Sequence, residues 1–177
     1  LDANMTVKGE THVGGLFGYA NKTALQGPAE NNVIYTNNEI PQMDTFHDQF
    51  SGKVEGNLYV GGVLGYLTGD GAQLGFFSVD GTVVYKDSYA EEIGGILGRY
   101  AKDGVVGIWD CVFKGKVNSN GGKYTGGIVG CWNSQRSSQG GKIQDCINWG
   151  EVLGGDATGG IVGYLRYECS QSYHIDN

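Results

Sequence analysis

The chain has 177 residues, 40% of them apolar and 18% charged, enough for one domain with its own core and short for two. Glycine stands at 33 against only 2 prolines, with 11% aromatics, a balance that excludes collagen, a Pro-rich linker and a generic disordered tail. The net charge of −7 argues against nucleic acid and anionic membrane surfaces as partners, and no run reaches the roughly 18 apolar residues that would cross a bilayer.

Leu1 opens the sequence without the charged and apolar stretches of an export signal, so any targeting segment is expected to have been removed or never to have been included in this sequence. In chain order, Val7-Lys-Gly-Glu-Thr11 is a degenerate first copy of a Gly-x-Val element, and Val13-Gly-Gly-Leu-Phe-Gly18 is the first Gly-Gly-apolar-apolar-Gly motif. A third element, Asn32-Val-Ile-Tyr-Thr36, precedes an insert at 37–49. The second unit runs through Ser51-Gly-Lys-Val54, Val60-Gly-Gly-Val-Leu-Gly65 and Gln73-Leu-Gly-Phe-Phe77. The third repeats the order in Asp80-Gly-Thr-Val83, Ile93-Gly-Gly-Ile-Leu-Gly98 and Val106-Gly-Ile-Trp-Asp-Cys111. The fourth does so in Lys114-Gly-Lys-Val117, Thr125-Gly-Gly-Ile-Val-Gly130 and Lys142-Ile-Gln-Asp-Cys146. The fifth holds Trp149-Gly-Glu-Val152 and Thr158-Gly-Gly-Ile-Val-Gly163, and His174-Ile-Asp-Asn177 begins one more third element.

First motif glycines at 14, 61, 94, 126 and 159 are 47, 33, 32 and 33 residues apart. Each unit carries three short β-branched or apolar runs between Gly, Asn, Asp and Ser clusters, which is strand-and-turn punctuation. No window shows helical spacing, and glycine at this density would cost a helix about 1 kcal/mol per site. The expectation is an all-β fold: a β-solenoid, similar to a parallel β-helix, of five repeats of about 33 residues with three short strands each, equivalent residues stacking ~4.8 Å apart. Strand alternation through the motif gives two apolar ladders, Leu16, Val63, Ile96, Ile128, Ile161 and Phe17, Leu64, Leu97, Val129, Val162, the latter continued by Tyr19, Tyr66, Arg99, Cys131 and Tyr164. Two apolar faces imply a sheet covered on both sides. The motif glycines, Gly14, Gly15, Gly18, Gly61, Gly62, Gly65, Gly94, Gly95, Gly98, Gly126, Gly127, Gly130, Gly159, Gly160 and Gly163, are then structural, admitting a covering backbone.

The five motifs, with Asp-Cys and Asn148-Trp-Gly-Glu-Val152 following the same pattern, resemble the GLUG-motif repeat of bacterial cell-surface proteins. The resemblance covers nearly the whole chain. It implies an exported, surface-exposed β-repeat region of adhesin-like proteins, found also beside the catalytic domains of some immunoglobulin-A-cleaving metallopeptidases. The first unit departs from it, being about 14 residues longer than the others. Residues 1–177 read as one β-repeat domain, and the absence of a capping repeat gives the expectation of a fragment of a longer protein.

Chemistry-bearing residues are sparse. Gly-Gly-x-x-Gly lacks the strand-to-helix setting of a dinucleotide fingerprint. Cys111, Cys131, Cys146 and Cys169 contain no Cys-x-x-Cys, and His12, His47 and His174 form no His-Glu-x-x-His, so no metal site is expected. The cysteines read as buried thiols, with a Cys111–Cys146 disulfide the alternative that their equivalent positions allow. Asp110 and Asp145 read as turn formers. Thr68-Gly-Asp-Gly71 and Gly154-Gly-Asp-Ala157 resemble cation-binding turns but do not recur in every unit, and no cofactor is expected. The insert holds Met43, Asp44, Phe46 and His47, the residues expected to contact a partner, because ordered loops that a repeat scaffold does not need are where binding resides. The primary reading is a non-catalytic repeat module, a spacer and adhesive surface for a host glycan or a host or bacterial surface protein. The alternative is a carbohydrate-active β-helix of polysaccharide lyase or hydrolase type. An unrepeated cluster of acids and bases in a groove would favour the enzyme, and uniform ladders the module.

Overall fold

Runs of three to six β-formers cut by glycine can make only short strands, and short strands are stable only when each is flanked by an equivalent neighbour. The computed structural model describes residues 5–26, 50–69, 71–85, 91–101, 107–134, 141–167 and 175–176, and among them every regular element is a strand. The chain winds as a β-solenoid whose walls are parallel sheets in register from coil to coil.

Each full coil visits five sheets, so the three runs of the sequence are divided into five strands. Sheet 1 stacks Thr6–Lys8, Lys53–Gly56, Thr82–Tyr85, Lys116–Asn118 and Glu151–Leu153. Sheet 2 stacks Thr11–Gly14, Leu58–Gly61, Glu91–Gly94, Lys123–Gly126 and Thr158–Gly159. Sheet 3 stacks Phe17–Asn21, Leu64–Thr68, Leu97–Ala101, Val129–Ser134 and Val162–Tyr167. Sheet 4 stacks Ala24–Gln26, Gln73–Gly75, Gly107–Trp109, Lys142–Gln144 and Ile175–Asp176. Sheet 5 stacks Ser78–Val79, Val112–Phe113 and Ile147–Asn148, with Phe50 bridging to Val79.

Two readings of the sequence change. The first-unit partner of Gln73–Gly75 is Ala24–Gln26, with Leu25 beside Leu74, so Asn32–Thr36 is not the third element of that unit and itself lies outside the described residues. The apolar pattern of both segments is similar, and only the neighbouring coil fixes which one docks. The additional residues of the first unit fall between Gln26 and Phe50. The motif, moreover, is a corner and not a straight strand: sheet 2 ends at its first glycine, the chain bends at the next two residues, and sheet 3 begins at the second apolar residue. That bend explains how consecutive residues such as Val63 and Leu64, Ile96 and Leu97, and Ile128 and Val129 are all fully buried in a single core. Alternation in a flat strand would have placed them on opposite faces.

The core is built from ladders, one from each sheet. Val7, Val54, Val83, Val117 and Val152 continue one another on sheet 1, and Leu25, Leu74, Ile108 and Ile143 on sheet 4. On sheet 3, Ala20, Leu67, Tyr100, Trp132 and Leu165 form a third ladder. At the corner, backbone bonds keep running up the stack: Gly62 N–H donates to Gly95 (3.1 Å) and Ile96 N–H to Ile128 (3.0 Å). The ladder of hydrogen bonds therefore survives the bend, as buried amides require.

Candidate functional site

The densest chemistry among the described residues lies on the seam where sheets 2 and 3 meet, and it grows out of an unusual backbone. The residue two before each first motif glycine is left-handed: His12, Tyr59, Glu92, Tyr124 and Ala157 have φ of 54°, 54°, 61°, 57° and 55°. Such a conformation disfavours residues with a Cβ and persists only where surrounding structure enforces it. In coils one to four the last motif glycine of the following coil packs against this backbone. A Cβ on Gly130 would stand 2.5 Å from Ile93 N and 2.6 Å from the Glu92 carbonyl carbon, and one on Gly163 2.6 Å from the Tyr124 carbonyl carbon. The two backbones thus press together, and glycine is the residue that permits it.

The left-handed residues meet the ladder Tyr19, Tyr66, Arg99, Cys131 and Tyr164 on sheet 3. At coils one and two the seam is aromatic. His12 lies 4.9 Å from the Tyr66 ring and 5.0 Å from Tyr59, Tyr59 lies 5.1 Å from Tyr66, and Tyr19 stacks on Tyr66 at 5.7 Å and 14°. In coil three it is charged: the Arg99 guanidinium bonds the Glu92 carboxylate at 2.5 Å and sits 5.1 Å over the Tyr59 ring. Tyr124 and Tyr164 stack at 4.3 Å further along.

Burial governs the electrostatics here. It pushes the Glu92 carboxyl above its usual value, and Arg99 and the Cys131 thiol only partly offset it. The same burial, with the adjacent Glu92 charge, drives the Cys131 thiol far up. Burial opposes the Arg99 charge, but Glu92 outweighs it and the guanidinium is held more firmly protonated. Glu92 Oε2 and Arg99 Nε find no hydrogen-bond partner, so the pair is tied by one contact and solvates itself poorly. Chemically this is a buried ion pair beside a protonated thiol, a weak nucleophile. Elsewhere, Lys53 and Lys8 hold the Glu55 carboxyl below its usual value, with Lys8 at 2.8 Å.

The sequence-predicted residues divide three ways. Met43, Asp44, Phe46 and His47 lie outside the described residues, as does Cys169. Every motif glycine of coils one to four is hemmed in: a Cβ on Gly127, for instance, would run into the Gly160 carbonyl oxygen and the Asn148 side chain. Cys111, Cys131 and Cys146 are free, the first two buried, and burial followed by the Cys146 contact raises the Cys111 thiol well above its ordinary value. Asp110 and Asp145 adopt φ of 50° and 51° at the corner between sheets 4 and 5, the turn role their residue type suggests. No group of three or more His, Cys, Asp or Glu suited to a metal occurs among the described residues, and none of their helices could cross a membrane. The left-handed ladder was missed. It stands at a fixed offset of two from the motif glycine and is four times His, Tyr or Glu, so aligning the five units a little further upstream would have exposed it.

Compared with known proteins, the chain matches no family model, no curated protein and no solved structure.

Proposed function

We propose that this chain is a non-catalytic repeat module of a bacterial surface protein, exported, and acting as a spacer and an adhesive surface toward a glycan or a surface protein. The observation that carries the reading is the unbroken register of four sheet ladders through five coils. Such a stack grows by addition of equivalent units and yields a rod with a repeated flank, the geometry a spacer needs. The resemblance of the motif to the GLUG repeat points the same way. The acid and base of the seam, Glu92 and Arg99, are buried against each other, with side chains 7% and 19% exposed, an arrangement that favours scaffold over catalysis because neither group is free to meet a polymer. Tyr19, largely exposed above His12 and Tyr66, supplies the amphipathic contact that sugars and protein surfaces favour.

Binding to a glycan array and to host-cell protein extracts, run beside a polysaccharide depolymerisation assay, tests this. Binding without release of reducing or unsaturated ends is expected, reduced by Tyr19→Ala or by deletion of residues 38–48. Product release that disappears in Glu92→Gln would replace the reading with the carbohydrate-active one.

A further inference from the structure

The outer face of sheet 4 departs from the repeat in the middle of the stack. Leu74, Ile108 and Ile143 point into the core, so the residues alternating with them point outward. In register from coil two to coil four these are Gln73 and Gly75, Gly107 and Trp109, and Lys142 and Gln144. Glycine inside a strand marks the close approach of another group. Here that group is the Trp109 indole. A Cβ on Gly75 would stand 2.5 Å from its Cε2 and 2.9 Å from its Cδ1, and one on Gly107 2.7 Å from Cζ3 and 2.8 Å from Cε3. The five-membered ring therefore rests on coil two and the six-membered ring on coil three. The indole lies flat along the wall, its second face turned away from the sheet and the residue partly exposed.

The corner residue beside it departs as well. Asp110 and Asp145 hold the left-handed position between sheets 4 and 5, and in coil two that position is Phe76, at φ 61°. Asp tolerates this conformation through its short polar side chain, whereas a bulky aromatic bears the full cost. Covering two glycines accounts for an indole on this wall but gives no reason for a strained phenylalanine. The Phe76 ring stands perpendicular to Trp109, at 88° with 6.5 Å between centroids, and its backbone N–H donates to the Trp109 carbonyl (3.2 Å). Strain that the surrounding structure holds in place collects at binding sites. Trp109 and Phe76 together form an aromatic step, a flat floor with one upright side.

We propose that this step binds the ring of a neutral hexopyranose within a polysaccharide. Such a sugar offers a flat C–H face to an aromatic ring and a rim of hydroxyls that need hydrogen-bond partners, so it fits an aromatic floor with a polar fringe. The fringe is present. Gln73, Lys142 and Gln144 are exposed on the same wall, and Gln144 is the register partner of Trp109, about 4.8 Å along the stack. An amide both donates and accepts, as a rim of hydroxyls requires. The net charge of −7 and the exposed Asp145 at the adjoining corner disfavour uronate and sulfated sugars. The inference rests on the glycan-binding side of the adhesive reading and places a contact on a wall other than that of Tyr19.

Affinity electrophoresis of the 177-residue chain through gels containing hydroxyethyl cellulose, laminarin or galactomannan, with polygalacturonate as the anionic comparison, tests it. At least one neutral polysaccharide should retard the natural chain, and polygalacturonate should not. Trp109→Ala should weaken that binding about tenfold and Gln144→Ala about threefold. Trp149→Phe removes the exposed indole of coil five and leaves Trp109 beside the buried Trp132. In that variant the retarding polysaccharide should shield the fluorescence from acrylamide, a readout that leaves the step itself unaltered. Retardation undiminished in Trp109→Ala, or binding without a change in quenching, overturns the site and leaves the adhesive reading standing. Equal retardation by polygalacturonate overturns the ligand class. A natural chain that ignores every neutral polysaccharide also overturns the proposal, and binding to protein extracts then decides the adhesive reading alone. Release of reducing ends from the gel polymers would overturn the non-catalytic reading, while quenching still decides the site. Circular dichroism checks folding, and if Trp109→Ala fails it, Gln144→Ala and the quenching decide.

Discussion

Ala157 occupies the left-handed corner at φ 55° with an exposed side chain that makes none of the seam contacts of its equivalents. It bears the conformational cost of a Cβ and gains nothing from it, so Ala157→Gly should stabilise the fold by about 0.5–1 kcal/mol, read as a rise of a few degrees in melting temperature. Glu92 bears a similar cost but is tied to Arg99. Its pKa in the folded chain lies above the ordinary 4.5, so the native state binds the extra proton; the contribution is present below the unfolded pKa and is lost as pH rises through the folded one. Arg99→Leu leaves that carboxylate buried without its cation. The variant should lose about 3 kcal/mol at neutral pH and recover part of it near pH 4.5, while Glu92→Gln/Arg99→Leu should show no such recovery. Urea unfolding of the three proteins at two pH values checks both statements, and comparing them cancels the opposite contribution of Glu55.

Elements are specified by ladders, and one polar substitution shows how. Thr125 replaces the valine and isoleucine of Val60 and Ile93 on sheet 2, and its buried hydroxyl donates to Ser119 (2.7 Å), whose own hydroxyl reaches the Gly122 carbonyl (3.3 Å). Ser119→Ala should cost about 1–3 kcal/mol by stranding the Thr125 hydroxyl, and Thr125→Val added to it should restore most of the loss, measured as a double-mutant cycle. The cysteines follow from the same packing. Cys111 and Cys131 should resist alkylation in the folded chain, Cys146 should react sooner, and reductant should leave the melting temperature unchanged, where loss of a disulfide would cost about 2–4 kcal/mol. At this scale the sequence was largely legible. Gly-x-Val elements and motifs became register partners wherever their spacing was constant, and Ile175–Asp176 paired with Ile143 and Gln144 of coil four as the similarity of the two segments implies. Legibility failed where spacing changed. Ala24–Gln26 and Asn32–Thr36 carry similar apolar patterns, and pairing is decided by a neighbouring coil that no local pattern records. The seam was illegible for another reason: positive φ at His12, Tyr59, Glu92 and Tyr124 runs against local preference, and the glycines packed against that backbone lie a coil away.

For the whole molecule, the glycines are what convert separate coils into one body. Most motif glycines are needed because another coil's backbone fills the space a side chain would take, so their energetic weight depends on having a neighbour and not on local strain alone. Gly127 and Gly160 hold the same place in consecutive repeats, yet a Cβ would collide at the first and meet nothing at the second. Denaturant unfolding of Gly127→Val and Gly160→Val in the 177-residue chain isolates that difference. The account predicts a loss of about 2–4 kcal/mol for Gly127→Val and a change within about 0.5 kcal/mol for Gly160→Val. Equal losses in the two variants, or an unchanged midpoint for Gly127→Val, would contradict the stacked-coil origin of the motif.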